Sequence, residues 1–111
     1  MENELMSLIS IRDALSNSGS NPATFFCLPS DSSGWTLDTK GMFALDSIDF
    51  GPESDEFLPE QVREGSWVEA LEGADIESIV YNVNYQIKNP TSEQLLRAFI
   101  YYYENDAFIC F

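Results

Sequence analysis

Residues 75–103 read DIESIVYNVNYQIKNPTSEQLLRAFIYYY, and they decide the fold because they contain two helical patterns separated by a proline. In the first half, apolar residues recur at intervals of three and four, which places them on one face of a helix over about 75–88. These residues are Ile76, Ile79, Val80, Val83 and Ile87. Asp75 is expected either as the N-cap or as a first-turn acid, which the helix dipole favours.

The second half of the stretch predicts another helix, over about 92–104. Thr91 and Gln94 match a capping box, in which each side chain accepts a hydrogen bond from the backbone N–H of the other residue. The apolar residues that follow again share one face: Leu95, Leu96, Phe99, Ile100 and Tyr103. Across the two helices, the residues that we expect to face the core are Ile79, Val83, Leu95 and Phe99.

Short apolar segments outside this stretch predict strands. They are ATFFCL at 23–28, SWVEAL at 66–71 and AFICF at 107–111. The segment WTLDTKGMFALD at 35–46 predicts extended chain with a break near Lys40 and Gly41. A further helix is predicted over 4–16, where one face would carry Leu5, Leu8, Ile11 and Leu15.

This order of elements predicts an α+β fold with a small, mostly antiparallel sheet and about three helices packed on one face. The 111 residues are expected to form a single domain, 1–111, with one ordinary core. Cys27 and Cys110 lie in apolar runs, so both are predicted to be reduced, buried thiols. A disulfide between these two residues is the alternative.

The first residues, MENELMSLIS, contain no basic residue before their apolar part, unlike a signal peptide. No apolar run is long enough for a transmembrane helix. Both observations predict a cytoplasmic protein without a membrane partner.

The charge of the chain restricts its partners. It contains 19 acidic and 5 basic residues, for a net charge of −14. Between 46 and 77 there are eleven acidic residues and only one basic residue, Arg63. Such a chain repels nucleic acid and anionic membranes, and it attracts basic partners. The alternative is that the acidity serves solubility alone, since charge runs are usually solvated faces.

The sequence lacks the usual components of an active site. It has no histidine, which removes the commonest general base and most transition-metal sites, and it has no nucleotide-binding motif. DSIDFG at 46–51 has the first Asp and the Gly of a calcium loop, but Phe50 and Phe57 occupy the fifth and twelfth positions. We therefore expect no enzymatic activity, no catalytic residues, no metal and no cofactor.

An irregular acidic arm is predicted at about 46–64, because Gly51, Pro52 and Pro59 interrupt regular structure there. Spaced carboxylates can bind the Arg and Lys side chains of a partner, and aromatic residues can anchor the contact. The candidate partner-binding residues in and after this arm are Asp46, Asp49, Glu53, Asp55, Glu56, Phe57, Glu60, Trp67, Glu69 and Glu72. Phe57 and Trp67 are the candidate anchors.

The segments WTLDT at 35–39 and LLRAFIYYYENDAFICF at 95–111 resemble a family of small acidic bacterial proteins. Some members look like immunity proteins of contact-dependent inhibition and related polymorphic toxin systems, and the resemblance covers mainly 23–45 and 66–111. It implies a protein that binds and blocks a toxin domain, often a basic nuclease. Members vary most at the toxin-binding surface, so the resemblance assigns no binding residue.

These observations together predict an immunity protein that occludes the positively charged cleft of a toxin, without binding nucleic acid directly. The second hypothesis is a nucleic-acid mimic from a phage or mobile element that inhibits a restriction or DNA-binding protein. An immunity protein should have one tight partner, whereas a mimic should have several. The third is an adaptor or housekeeping domain whose acidity is incidental.

Overall fold

A computed structural model of the chain describes residues 8–45 and 58–111. The strands are β1 (Ile9–Ser10), β2 (Phe25–Pro29), β3 (Lys40–Phe43) and β4 (Trp67–Glu72). The helices are α1 (Ile11–Ser16), α2 (Glu60–Arg63), α3 (Gly73–Gln86) and α4 (Ser92–Asn105), with a 3₁₀ turn at Ser32–Gly34. The protein therefore has the α+β fold that the sequence predicts.

The four strands form one sheet in the order β1-β3-β2-β4, and every neighbouring pair is antiparallel. Phe26 in β2 lies opposite Phe43 in β3 and opposite Leu71 in β4. The next residue of β2, Cys27, lies opposite Glu69, so Ala70 is an extra residue in β4 and forms a β-bulge. Side chains of opposed residues lie on the same side of a sheet, so the register fixes which residues share each face.

One face of the sheet, called here the core face, packs against α1, α3 and α4. Phe26, Leu28 and Phe43 on this face are buried together with Ile11, Ile76 and Phe99 from the three helices. The rings of Phe26 and Phe43 stack with centroids 4.6 Å apart, and Phe99 meets Phe26 edge-on at 6.4 Å. Helices that are distant in the sequence therefore contribute side chains to a single apolar core.

The predicted inward residues of α3 and α4 are confirmed in most positions. Ile79, Val83 and Phe99 are buried, whereas Leu95 is partly buried at the border of the core. Tyr103 packs against Trp35 with ring centroids 4.9 Å apart. The indole N–H of Trp35 donates to the Pro29 carbonyl at 2.8 Å, which satisfies its polar atom inside the core.

The caps of α3 and α4 explain where each helix begins. The backbone N–H of Glu72 donates to the Asp75 carboxylate at 3.1 Å, so Asp75 is a first-turn acid and Glu72 is the N-cap. At α4 the capping box is confirmed: Thr91 N donates to Gln94 Oε1 at 2.8 Å and Gln94 N donates to Thr91 Oγ1 at 3.1 Å.

The predicted first helix is wrong at its beginning. Residues 1–7 lie outside the described residues, and Ile9 and Ser10 are extended, because they pair with Gly41 and Lys40 of β3. The helix begins only at Ile11, where Ser10 is the N-cap and its hydroxyl accepts from Asp13 N at 3.1 Å. A strand pairing therefore overrides the helical period, and Leu8 is exposed instead of buried.

The predicted terminal strand at 107–111 is also wrong, since none of these residues belongs to a strand. The segment is held instead by the side chain of Gln86 in α3. The amide of Gln86 donates to the Ile109 carbonyl at 2.8 Å and accepts from Phe111 N at 3.0 Å. The Gln86 side chain thus gives the backbone of this segment one donor and one acceptor, as a neighbouring strand would. Ile109 is buried.

Two further expectations need correction. Trp35–Thr39 is not extended, because a turn at 37–38 brings the carbonyls of Leu37 and Thr39 to the first N–H groups of α1. The break expected near Lys40 is instead the beginning of β3.

The predicted irregular arm lies outside the described residues from 46 to 57. Near its end, Glu60–Arg63 forms one helical turn and not an irregular chain. Pro59 precedes this turn, and its carbonyl accepts hydrogen bonds from Val62 N at 3.0 Å and Arg63 N at 3.2 Å.

Cys27 and Cys110 are both free thiols, but they occupy different environments. Cys27 is fully buried, as predicted, whereas Cys110 is exposed, so the prediction for Cys110 is wrong. The reason is that the apolar run at 107–111 is not a strand with a buried face. It follows the surface, and Ile109 is its buried residue.

Candidate protein-binding surfaces

The ten candidate residues predicted from the sequence divide into two groups. Asp46, Asp49, Glu53, Asp55, Glu56 and Phe57 lie outside the described residues, and the side chain of Glu60 in α2 is not described either. The other three candidates are Trp67, Glu69 and Glu72, and all of them belong to β4.

The structure brings these three side chains to the same face of the sheet, opposite the core face and called here the outer face. Trp67 lies opposite Pro29, Glu69 opposite Cys27, and Glu72 opposite Phe25. Both carboxylates are exposed, and the indole of Trp67 is half-buried. An aromatic side chain and two carboxylates therefore line one strand at the surface.

The β-bulge at Ala70 is what places Glu72 beside Glu69. Residues an odd number of positions apart in a regular strand point to opposite faces, which would turn Glu72 towards the core. The extra residue restores the alternation, because Leu71 takes the core position opposite Phe26 and Glu72 returns to the outer face. Alternation along the sequence alone would not predict this arrangement.

Cys27 lies on the outer face, where its surroundings change the pKa of its thiol. Burial raises the pKa of its thiol from 9.0 to about 12, and the neighbouring Glu69 carboxylate contributes in the same direction. The thiol is therefore protonated at neutral pH, and a buried, protonated thiol is a poor nucleophile. Glu69 lies directly opposite Cys27 in the strand pair, so its negative charge disfavours the thiolate.

A second candidate surface lies on α3, and the sequence analysis did not identify it. Tyr81 and Tyr85 are 74% and 83% exposed, and they are four residues apart on the same side of the helix. Both lie outside the apolar stripe of α3. A helical projection of the sequence would have shown them on the opposite side of the helix. In the run of three tyrosines at 101–103 on α4, Tyr101 is exposed and Tyr102 is half-buried.

A groove of about 550 Å³ lies between the outward side of α3 and the C-terminal segment. Its lining residues are Ala74, Glu77, Ser78, Tyr81, Asn82 and Phe108. The Phe108 ring packs against Tyr102 with centroids 5.3 Å apart. Burial raises the pKa of Tyr102, and the carboxylates of Asp75 and Asp106 add to this shift. The groove thus has aromatic and acidic residues around it.

Another groove, of about 500 Å³, lies between α4 and the C-terminal segment. Its lining residues are Arg97, Ile100, Tyr101, Glu104, Ile109 and Cys110. It contains both a cation and an anion, and the Arg97 guanidinium lies 6.0 Å from the centroid of the Phe111 ring. Its charges therefore do not select a partner of one sign.

Few acidic side chains are neutralised inside the protein. Among residues 8–45 and 58–111, Arg12 and Asp38 form the one ion pair, at 2.9 Å and on the surface. The same part of the chain contains no group of three or more Cys, Asp or Glu side chains placed to hold a metal ion. In these described residues, Glu69 and Glu72 therefore form no ion pair.

A family model described as "Domain of unknown function (DUF7716)" matches residues 8–111. No curated protein and no solved structure matches the chain. Within the described ranges, no helix combines the length and the apolar character needed to cross a membrane.

Proposed function

Because the chain belongs to the DUF7716 family, whose description assigns no activity, we propose its function from its own surfaces. The protein is an immunity protein that binds a basic bacterial toxin domain, in the first place a nuclease, and neutralises it by covering the positively charged cleft. It acts by binding and not by catalysis. Its compartment is the cytoplasm, where a nuclease toxin meets its substrate.

The observation that carries this proposal is the arrangement of Trp67, Glu69 and Glu72 on the outer face. Carboxylates form charge-assisted hydrogen bonds with the Arg and Lys side chains that hold nucleic acid in a nuclease cleft. A half-buried Trp beside them can act as an anchor, since aromatic residues provide much of the binding energy of protein interfaces. The strand holds all three in a fixed spacing, which lowers the ordering cost of binding.

The net charge of −14 supports the same function at longer range. A strongly acidic protein accelerates its encounter with a basic partner, and like charge keeps it away from nucleic acid. The acidic residues between 46 and 57 lie outside the described residues, and they stay partner-binding candidates on the sequence alone.

Gene neighbourhood and co-expression test the proposal. We expect a gene for a toxin domain beside the gene for this protein, and co-expression of the two should restore growth of cells that the toxin otherwise kills. The double variant Trp67→Ala, Glu69→Lys should protect much less, whereas Glu93→Lys, a reversal on an exposed residue of α4, should protect fully. Equal protection by both variants would contradict the role of the outer face.

The breadth of binding separates this function from nucleic-acid mimicry. Purified protein should bind the neighbouring toxin domain tightly and should not bind unrelated restriction or DNA-binding proteins. Comparable inhibition of several such proteins would favour the mimic. Absence of any binding to basic proteins would overturn both and leave the acidity as a solubility feature.

A further inference from the structure

The groove between α3 and the C-terminal segment combines the chemical groups that recognise a guanidinium. Tyr81 and Phe108 supply aromatic rings, Glu77 supplies a carboxylate, and Ser78 and Asn82 supply neutral hydrogen-bonding groups. A cation over an aromatic ring is attracted by the ring's quadrupole, and a carboxylate pairs with it through charge-assisted hydrogen bonds. Among the described residues, those that line the groove include no basic one.

The electrostatic surroundings of the groove also favour a cation. Tyr102 packs behind Phe108, and the carboxylates of Asp75 and Asp106 both act on its hydroxyl. Together with Glu77, three carboxylates therefore lie in or near this side of the protein. Arg97, the basic residue next to the C-terminal segment, lines the other groove and lies over Phe111.

The aromatic wall of the groove is held in position before any ligand arrives. The Gln86 amide makes two hydrogen bonds to the backbone of residues 109 and 111, and the Ile109 side chain is buried in the core. Both contacts fix the segment that carries Phe108. Binding to such a preformed wall costs less ordering entropy than binding to a free terminus.

We propose that this groove receives an arginine side chain from the basic partner. Arginine fits better than lysine, because its planar guanidinium can stack on an aromatic ring and form paired hydrogen bonds with a carboxylate. The inference rests on the proposed function and deepens it: the outer face attracts a basic partner, and the groove selects a partner that presents an arginine at the matching position.

Backbone NMR with a short peptide tests this inference directly. The probe is acetyl-Gly-Arg-Gly-Arg-Gly-amide, and the control is the same peptide with neutral citrulline in place of arginine. The arginine peptide should shift the amide signals of Ser78, Tyr81, Asn82 and Phe108, and the citrulline peptide should not. Tyr81→Ser and Glu77→Gln should each weaken the binding of the arginine peptide by roughly three- to tenfold.

Tyr85→Ser is the matched control, because Tyr85 is on the same helix and more exposed but does not line the groove. It should leave peptide affinity within about twofold of that of the unchanged protein. Equal losses for Tyr81→Ser and Tyr85→Ser would overturn the inference, as would shifts confined to the outer face or no shifts at all. Groove shifts together with failure to bind any toxin domain would refute the proposed function but leave the arginine site standing.

Discussion

At the scale of single residues, the two cysteines show how much the neighbours of a side chain decide its chemistry. Cys27 lies at the centre of the sheet, fully buried and opposite Glu69. Cys110 lies on the C-terminal segment and lines a surface groove. Their local sequences, FFCL and FICF, are nearly alike, so the difference comes from the fold.

Thiol reactivity should separate the two residues. A disulfide-exchange reagent at about pH 8 should label Cys110 at once and Cys27 only after denaturation, because Cys110 is exposed and Cys27 is buried. The measurement is the number of thiols that react before and after addition of guanidinium. Cys110→Ser should remove the fast reaction, and rapid labelling of that variant would contradict the buried position of Cys27.

The raised pKa of Cys27 predicts how stability depends on pH. The unfolded thiol ionises near 9.0, whereas the folded thiol keeps its proton to about 12. The free energy that protonation contributes is therefore present below about pH 9 and is lost as the pH rises towards 12. Urea unfolding at rising pH should give a steeper loss of stability for the wild type than for Cys27→Ala. Equal slopes would refute the assignment, and Cys110→Ala should behave as the wild type.

At the scale of elements, α3 has two different sides. Its inner side contributes Ile76, Ile79 and Val83 to the core, and its outer side presents Tyr81 and Tyr85. The exposed tyrosines do not stabilise the fold by burial, since most of their surface remains in water. Tyr81 lines the groove between α3 and the C-terminal segment, whereas Tyr85 does not, so Tyr85 is the suitable exposed control for the core.

The effect of a substitution in α3 or α4 on the free energy of unfolding should therefore depend on whether the side chain faces the core or the solvent. Ile79→Ala and Phe99→Ala should each lower the free energy of unfolding by roughly 2–5 kcal/mol, because both side chains are buried and removal leaves a cavity. Tyr85→Ala should change it by less than about 0.5 kcal/mol. Chemical denaturation followed by circular dichroism measures all three, and unchanged stability for both core variants would mean that the packing of these helices is misassigned.

Helices could be predicted here because their signals are local. The period of α3 and the Thr91–Gln94 box need no information from elsewhere in the chain. The predictions are wrong where a partner distant in the sequence determines the local structure. Ile9 pairs with β3 and is not helical, and the backbone of 107–111 binds the Gln86 side chain and not a strand. The site follows the same rule, since residue types identify Glu69 and Glu72 as candidates but only the bulge puts them on one face.

At the scale of the whole molecule, most acidic residues cannot pair with a basic residue of the same chain, because the basic residues are too few. Its 19 acidic residues face only 5 basic ones, and one surface ion pair is present in the described part of the chain. Exposed pairs of this kind contribute little to stability. A net charge of this size costs stability through self-repulsion, and the proposed attraction of a basic partner would give that charge a function.

Charge reversal should reveal whether the acidic arm predicted from the sequence is the surface that attracts a partner. Reversal of Asp49, Glu53, Asp55 and Glu56 to Lys should slow association with the neighbouring toxin domain by about ten- to a hundredfold at low salt. Wild-type association should also slow as salt rises, because mobile ions screen exposed charges. Stopped-flow fluorescence at low and high salt measures both effects.

A control variant with the same change in net charge distinguishes the effect of charge position on the association rate from the effect of total charge. Reversal of four other exposed acids to Lys provides it: Asp13, Asp38, Glu93 and Glu104. If location matters, this control should keep a much larger share of the wild-type rate, and both variants should remain folded because each reversal relieves like-charge repulsion. If both lose the same amount, attraction depends on net charge alone. If the first variant binds as fast as the wild type, the acidic residues at 46–57 do not attract the partner, and the interface must lie elsewhere. The outer face and the groove between α3 and the C-terminal segment are then the next surfaces to test.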